Sequence, residues 1–157
     1  MKKLHVRSLA WLVSLCFALF AFQATAATAS AANKVEKKPF AEAHVALQIS
    51  DGNPFKQTLV LNVAHNLLKH YGPDKVDIEV VAFSKGLRLL FADNANQKRI
   101  DALAGAGVRF SACNNTLHHM TKLLGHKPKL NSHAVVVPAG IVRLLQLKQA
   151  GYTVVKP

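Results

Sequence analysis

Hydrophobic and polar positions along this chain switch repeatedly between strand-like and helix-like spacing. The run His44-Val45-Ala46-Leu47-Gln48-Ile49 has strand length, and Ser50-Asp51-Gly52-Asn53-Pro54 closes it with turn chemistry. Beyond Pro54, apolar Leu59, Leu61, Val63, Leu67 and Leu68 mix with polar residues and stop at Tyr71-Gly72-Pro73, which predicts a helix with a Gly/Pro end. A second cycle follows. Val76 to Phe83 is rich in β-branched residues, Ser84-Lys85-Gly86 breaks it, and short helical segments are expected over Leu87–Leu90 and Ala95–Ala104 before Gly105-Ala106-Gly107. A third strand, Val108–Ala112, runs into Cys113-Asn114-Asn115-Thr116 and a helix through Leu124, with Gly125-His126-Lys127-Pro128 as connector. Ala134-Val135-Val136-Val137 has the composition of a buried parallel strand. Pro138-Ala139-Gly140 leads from it to a helix over Ile141–Gln149, and Gly151 precedes a last strand, Tyr152–Val155.

Strands alternating with helices over about 115 residues imply one α/β domain, residues 43–157, with a mostly parallel sheet of about five strands and helices on both faces. The preceding residues read differently. Lys2, Lys3 and Arg7 form a positive start, Leu9 to Phe22 is an uncharged apolar run, and Ala24-Thr25-Ala26 offers small residues at a cleavage site, the grammar of a secretory signal over residues 1–26. That apolar run spans only about 21 Å as a helix, short of a hydrocarbon core of about 30 Å, so a retained anchor is disfavoured and no membrane contact is expected after cleavage. Residues 27–42 carry too little apolar content to pack and are expected to form a flexible leader. The expected location is the periplasm.

Charge changes this picture little. The chain has 20 Lys and Arg against 8 Asp and Glu, and loss of residues 1–26 leaves 17 basic residues, a net charge of +9. The basic residues are scattered rather than gathered into a phosphate-binding run, so nucleic acid is not an expected partner, and the charge reads as solubility with some preference for anions. Cysteine counting changes it more. Of two cysteines, Cys16 departs with the signal and Cys113 remains alone, excluding an internal disulfide. In an oxidising compartment such a residue is buried and inert, paired between chains, or kept as a reactive thiol.

Ligands of open parallel sheets gather at the carboxyl ends of the strands, where loops Ser50–Asn53, Ser84–Gly86, Cys113–Thr116 and Pro138–Gly140 should meet. The candidate binding residues there are Asp51, Gly52, Asn114, Asn115, Thr116, Pro138 and Gly140, with Cys113 as the one strong nucleophile. A thiol between a strand end and a helix start faces unpaired backbone N–H groups and the positive end of the helix dipole. Both favour thiolate, and both would equally stabilise a persulfide anion. The competing reading is a small buried hydrophobe. Asp51 either orients a ligand or, the favoured reading, bonds its own turn. His118, His119, Met120 and His126 offer soft ligands close to Cys113, but no metal-binding spacing is present; exposed helix histidines are the default, and no metal or other cofactor is expected. Gly105 and Gly107 follow a helix rather than a strand, so a dinucleotide fingerprint is absent, and no carboxylate pair or Ser/His/Asp order suggests a hydrolase.

The strings Leu47-Gln48-Ile49-Ser50-Asp51-Gly52, Val80-Val81-Ala82-Phe83, Gly107-Val108-Arg109-Phe110-Ser111-Ala112-Cys113-Asn114-Asn115-Thr116, Val136-Val137-Pro138-Ala139-Gly140 and Gly151-Tyr152-Thr153-Val154-Val155-Lys156-Pro157 resemble the exported branch of the DsrE/DsrF-like family over residues 43–157. The resemblance implies a flavodoxin-like three-layer α/β sandwich and a homo-oligomer, a trimer or hexamer. It also implies a cysteine at the position of Cys113 that carries sulfur in the relay branch. The expected function is a periplasmic sulfur-carrier or thiol-handling protein. Its partners would be sulfur donor and acceptor proteins or small thiols and sulfane sulfur. The alternatives are a non-catalytic oligomeric module that binds a small ligand and keeps Cys113 for structure, and a periplasmic metal-binding protein.

Overall fold

The computed structural model describes residues 35–157. The expected signal, 1–26, and the first part of the expected leader lie outside the described residues. Five strands, β1 (Ala43–Ile49), β2 (Val76–Ala82), β3 (Arg109–Cys113), β4 (Ala134–Val137) and β5 (Thr153–Val155), pair in the order β4-β3-β2-β1-β5 with every ladder parallel. Helix α1 (Pro54–Tyr71) joins β1 to β2; a 3-10 segment (Ser84–Leu90) and α2 (Gln97–Gly105) join β2 to β3; α3 (Asn114–Leu124) joins β3 to β4; and α4 (Gly140–Gln149) joins β4 to β5. The chain is therefore an α/β protein with an all-parallel sheet flanked by helices, consistent with a flavodoxin-like sandwich.

The topology allocates the faces. Stepping in one direction from β1 to β4 through right-handed crossovers puts α1, α2 and α3 on one side of the sheet. The return from β4 across to β5, beside β1, puts α4 on the other. The first side holds the larger apolar cluster, in which Leu47, Ile78, Val80 and Phe110 from the strands pack against Val60, Leu61 and Ala64 of α1, Ile100 of α2 and Leu117 of α3. The second is smaller: Ala46 and Val81 meet Leu144 and Leu147 of α4 and Tyr152.

That second face is polar at its centre, where Asp77 and Glu79 alternate with inward-facing β2 residues and are both fully buried. Glu79 Oε1 accepts from Arg143 Nε at 2.6 Å and from Ser111 Oγ at 2.6 Å, and its Oε2 accepts from Arg143 Nη2 at 2.9 Å and Arg109 Nε at 3.3 Å. Asp77 Oδ2 accepts from the Tyr152 hydroxyl at 2.6 Å and the Lys38 amide at 2.9 Å, while Arg109 Nη1 lies 2.8 Å from Oδ1. Burial pushes both carboxyls up, but these donors outweigh it and hold both below their ordinary values. Residues 35–42, the described part of the expected leader, reach this network: besides its amide, Lys38 donates through Nζ to the carbonyls of Pro73 and Val76, and Val35 packs on the smaller cluster.

Two local departures from the sequence pattern have physical causes. Helix α2 starts at Gln97 rather than Ala95, because the Asn94 side chain accepts from the Asn96 amide at 2.9 Å and holds those residues in a turn. Strand β4 is not a buried strand: it lies at the sheet edge, with Val135 57 % and Val136 40 % exposed. An apolar β-branched run fits a buried strand and an uncovered edge equally well.

Because Asp77 and Glu79 titrate lower in the fold than their ordinary 3.8 and 4.5, their stabilisation is complete above those values and is lost as pH falls through the folded ones. Glu79→Gln should therefore lower the urea midpoint at pH 7 by the equivalent of about 3–5 kcal/mol, the cost of a buried charge left without its partner. It should also flatten the decline in stability below about pH 4.5. An acid limb as steep as that of the unmodified protein would contradict this account.

Candidate functional site

With all strands parallel, β1 to β4 deliver their outgoing loops to one edge of the sheet. From β1, β2 and β3 the chain turns onto the face of α1–α3; from β4 it turns onto the opposite face. The crevice opened by this reversal lies between β3 and β4, the position where open α/β sheets bind ligands. Cys113 is the last residue of β3 and the N-cap of α3, and Gly140 is the first residue of α4. The thiol thus sits at the switch point, facing two helix N-termini.

Four groups act on its sulfur. Burial pushes the Cys113 thiol up; the Thr116 hydroxyl and the backbone N–H groups of Thr116, Gly140 and Asn115 pull it down further, leaving it below its ordinary 9.0. The neutral thiol forms no regular capping bond, so these donors act mainly on the anion. Asn115 and Thr116 hold the second and third helical positions, whose N–H groups an N-cap side chain ordinarily reaches. Each helix terminus adds about 0.3–1 kcal/mol for a nearby anion.

The Thr116 hydroxyl is oriented by Ser84, whose backbone N–H donates to Thr116 Oγ1 at 3.0 Å. With one lone pair occupied, the hydroxyl hydrogen is free to point at sulfur. Ser84 reaches this position with a φ of 51°, a left-handed conformation that disfavours side chains other than glycine, asparagine and aspartate. The other loops lock around it. Phe83 N–H donates to the Ile49 carbonyl at 3.1 Å, and a Cβ on Gly86 would stand 2.4 Å from that same oxygen. A Cβ on Gly140 would stand 2.9 Å from Phe83 Cβ, so only glycine lets α4 begin close enough to offer its amide to Cys113.

The structure thus gathers Cys113, Asn115, Thr116 and Gly140. Asp51 bonds its own turn: its Oδ1 accepts from the Asn53 amide at 2.9 Å, the role favoured from sequence. Gly52 packs on Lys85, and Pro138 is exposed at the rim. Cys113 itself is only 5 % exposed, yet it belongs to neither apolar cluster. Beside it, the 3-10 segment, α3 and the connector after α3 bound a groove of about 1240 Å³ whose lining includes Asn115 and Thr116. Sequence reading did not find this groove, because its two walls are separated by thirty or so residues and each looks like an ordinary solvated face. His119, Met120 and His126 also line it. Among the described residues no group of three or more His, Cys, Asp or Glu converges as a metal site, and no helix is long and apolar enough to cross a membrane.

Fold and site together define an all-parallel α/β protein with a thiol in an N–H cradle at its switch point. Neither a protein-family model nor a curated protein matches the chain. Among solved structures it is similar to the protein of unknown function MTH1491 from Methanobacterium thermoautotrophicum, with 28 % identity and a TM-score of 0.66 over 74 % of this chain and 100 % of that one.

Two outcomes are expected. Alkylation of native Cys113 by a small reagent should titrate with a midpoint below 9.0, and Thr116→Val should move it upward by removing the hydroxyl donor. An unchanged midpoint in the variant would refute the role of Thr116. Gly86→Ala should lower stability by roughly 1–3 kcal/mol in thermal or urea unfolding, since its methyl meets backbone that must shift.

Proposed function

We propose that this protein handles sulfane sulfur, with Cys113 as both acceptor and donor, and that it is an exported member of the DsrE/DsrF-like family. The observation that carries this reading is the place of Cys113 at the switch point, as last residue of β3 and N-cap of α3, where the Thr116 hydroxyl and the N–H groups of Thr116, Gly140 and Asn115 favour its anion. Such a cradle suits a thiolate before transfer and a persulfide anion after it. In loading, the Cys113 thiolate attacks the terminal sulfur of a donor R–S–SH. A new S–S bond forms, the donor S–S bond breaks, and its electron pair leaves with R–S⁻. Unloading repeats the exchange: an acceptor thiolate takes the terminal sulfur and returns Cys113 as thiolate. No external oxidant or reductant is needed, and the donor and acceptor are proteins or small thiols.

Export through the signal at residues 1–26, to a periplasmic location, belongs to the same proposal, as does a homo-oligomer. Self-association is supported by apolar residues left uncovered on the α4 side of the sheet: Ile141 is 58 %, Leu145 54 % and Val135 57 % exposed. A patch of this kind on a soluble domain marks a surface for association.

A second reading, a small-ligand-binding module with a structural cysteine, is favoured by the 5 % exposure of Cys113 and by the groove that it does not line. One experiment separates the two. After mild polysulfide treatment of the native full-length chain, peptide mapping should show one added sulfur on the Cys113 peptide, released to a thiol acceptor. Cys113→Ser should carry none at that position. A native Cys113 that takes up no sulfur and is alkylated only after unfolding would establish the structural reading instead.

A further inference from the structure

The groove beside α3 has a composition the thiol does not require. Lys85 and Arg88 stand on one wall and Lys127 and Lys129 on another; all four are exposed, and none forms an ion pair with a described residue. Asp93 is the one acid in the lining. Between the cations lies apolar surface: Leu123 is 71 % and Leu124 47 % exposed, with Met120 beneath. Along α3 the lining extends from Asn115 to Leu124, about 13 Å at 1.5 Å per residue, the reach of about four residues of extended chain.

We propose that this groove docks an acidic peptide segment with apolar side chains, carried by a partner protein. Charge complementarity selects the occupant. A carboxylate with a single charge leaves most of the four cations unmatched, whereas a segment with acids at intervals meets them along both walls. The exposed leucines call for side chains that a phosphodiester or polyphosphate chain lacks. One end of the groove, at Asn115 and Thr116, adjoins the Cys113 cradle, so a docked partner is held with its neighbouring residues next to the sulfur. The inference rests on the sulfur-handling proposal only for what is exchanged there; docking itself does not involve the thiol.

The test uses the full chain and a fluorescein-labelled hexapeptide alternating glutamate and leucine, read by fluorescence anisotropy. Binding should saturate and weaken with added salt. It should fall at least about tenfold in Lys85→Glu/Lys129→Glu and in Leu123→Ser, and for control peptides with lysine replacing glutamate or serine replacing leucine. Thermal unfolding confirms that each exposed-site variant is folded, and the salt series and control peptides read the same interaction in the unmodified protein. Equal binding of the glutamate–serine peptide, undiminished binding in the charge-reversed variant, or binding of inorganic polyphosphate or a short oligonucleotide in place of the peptide would overturn the proposal. Cys113→Ser should bind the peptide as the unmodified protein does. Failure here therefore leaves sulfur loading at Cys113 untouched, and failure of loading leaves the docking result standing.

Discussion

The bidentate pair between Glu79 and Arg143 holds the second face of the molecule together. A carboxylate with no exposure to water is tolerated only when donors surround it, and Arg143, Arg109 and Ser111 supply them. Of the helices among the described residues, α4 alone covers that face, and its own apolar contacts are few. Its position is fixed by the guanidinium: a slide of α4 along the sheet would strand a charge in the interior. Because Gly140 begins the same helix, the link that anchors α4 also fixes where its first amide points, less than one turn before Arg143.

Site geometry is thus inherited from topology. Three crossovers on one side and one on the other open a crevice between β3 and β4 and aim two helix starts into it. What remains is close fitting, achieved by Gly86 under the Ile49 carbonyl, Gly140 under Phe83, and Ser84 held in a left-handed turn so that its amide reaches Thr116. Stability and chemistry meet in these contacts, since loosening any of them shifts a donor away from the sulfur.

Much of this was legible in the sequence. Alternating periods of about two and 3.6 residues placed all five strands and their helices, and parallel βα connectivity then put the four strand-end loops on one edge without further information. Cys113, Asn115, Thr116 and Gly140 followed from that placement. The pair of acids in β2 did not. Asp77 and Glu79 sit in a run that reads as an ordinary β-branched strand, and their partners Arg109, Tyr152 and Arg143 lie 30 to 75 residues away. Nor was the anchoring of Lys38 visible, since it depends on a backbone amide and two carbonyl acceptors rather than on residue type. The exposure of β4 was hidden for another reason: local composition does not record what covers an edge.

The shallow recess of Cys113 also governs what the chain can do to itself. A disulfide requires the two sulfurs to come within about 2.05 Å and their Cβ atoms within about 4.5 Å. With the residue only 5 % exposed, two copies of the sulfur meet at such range only if the chain around them moves. Recession thereby guards the thiol against covalent self-capture under oxidising conditions, a task that proteins with exposed reactive cysteines commonly hand to a second, resolving sulfur.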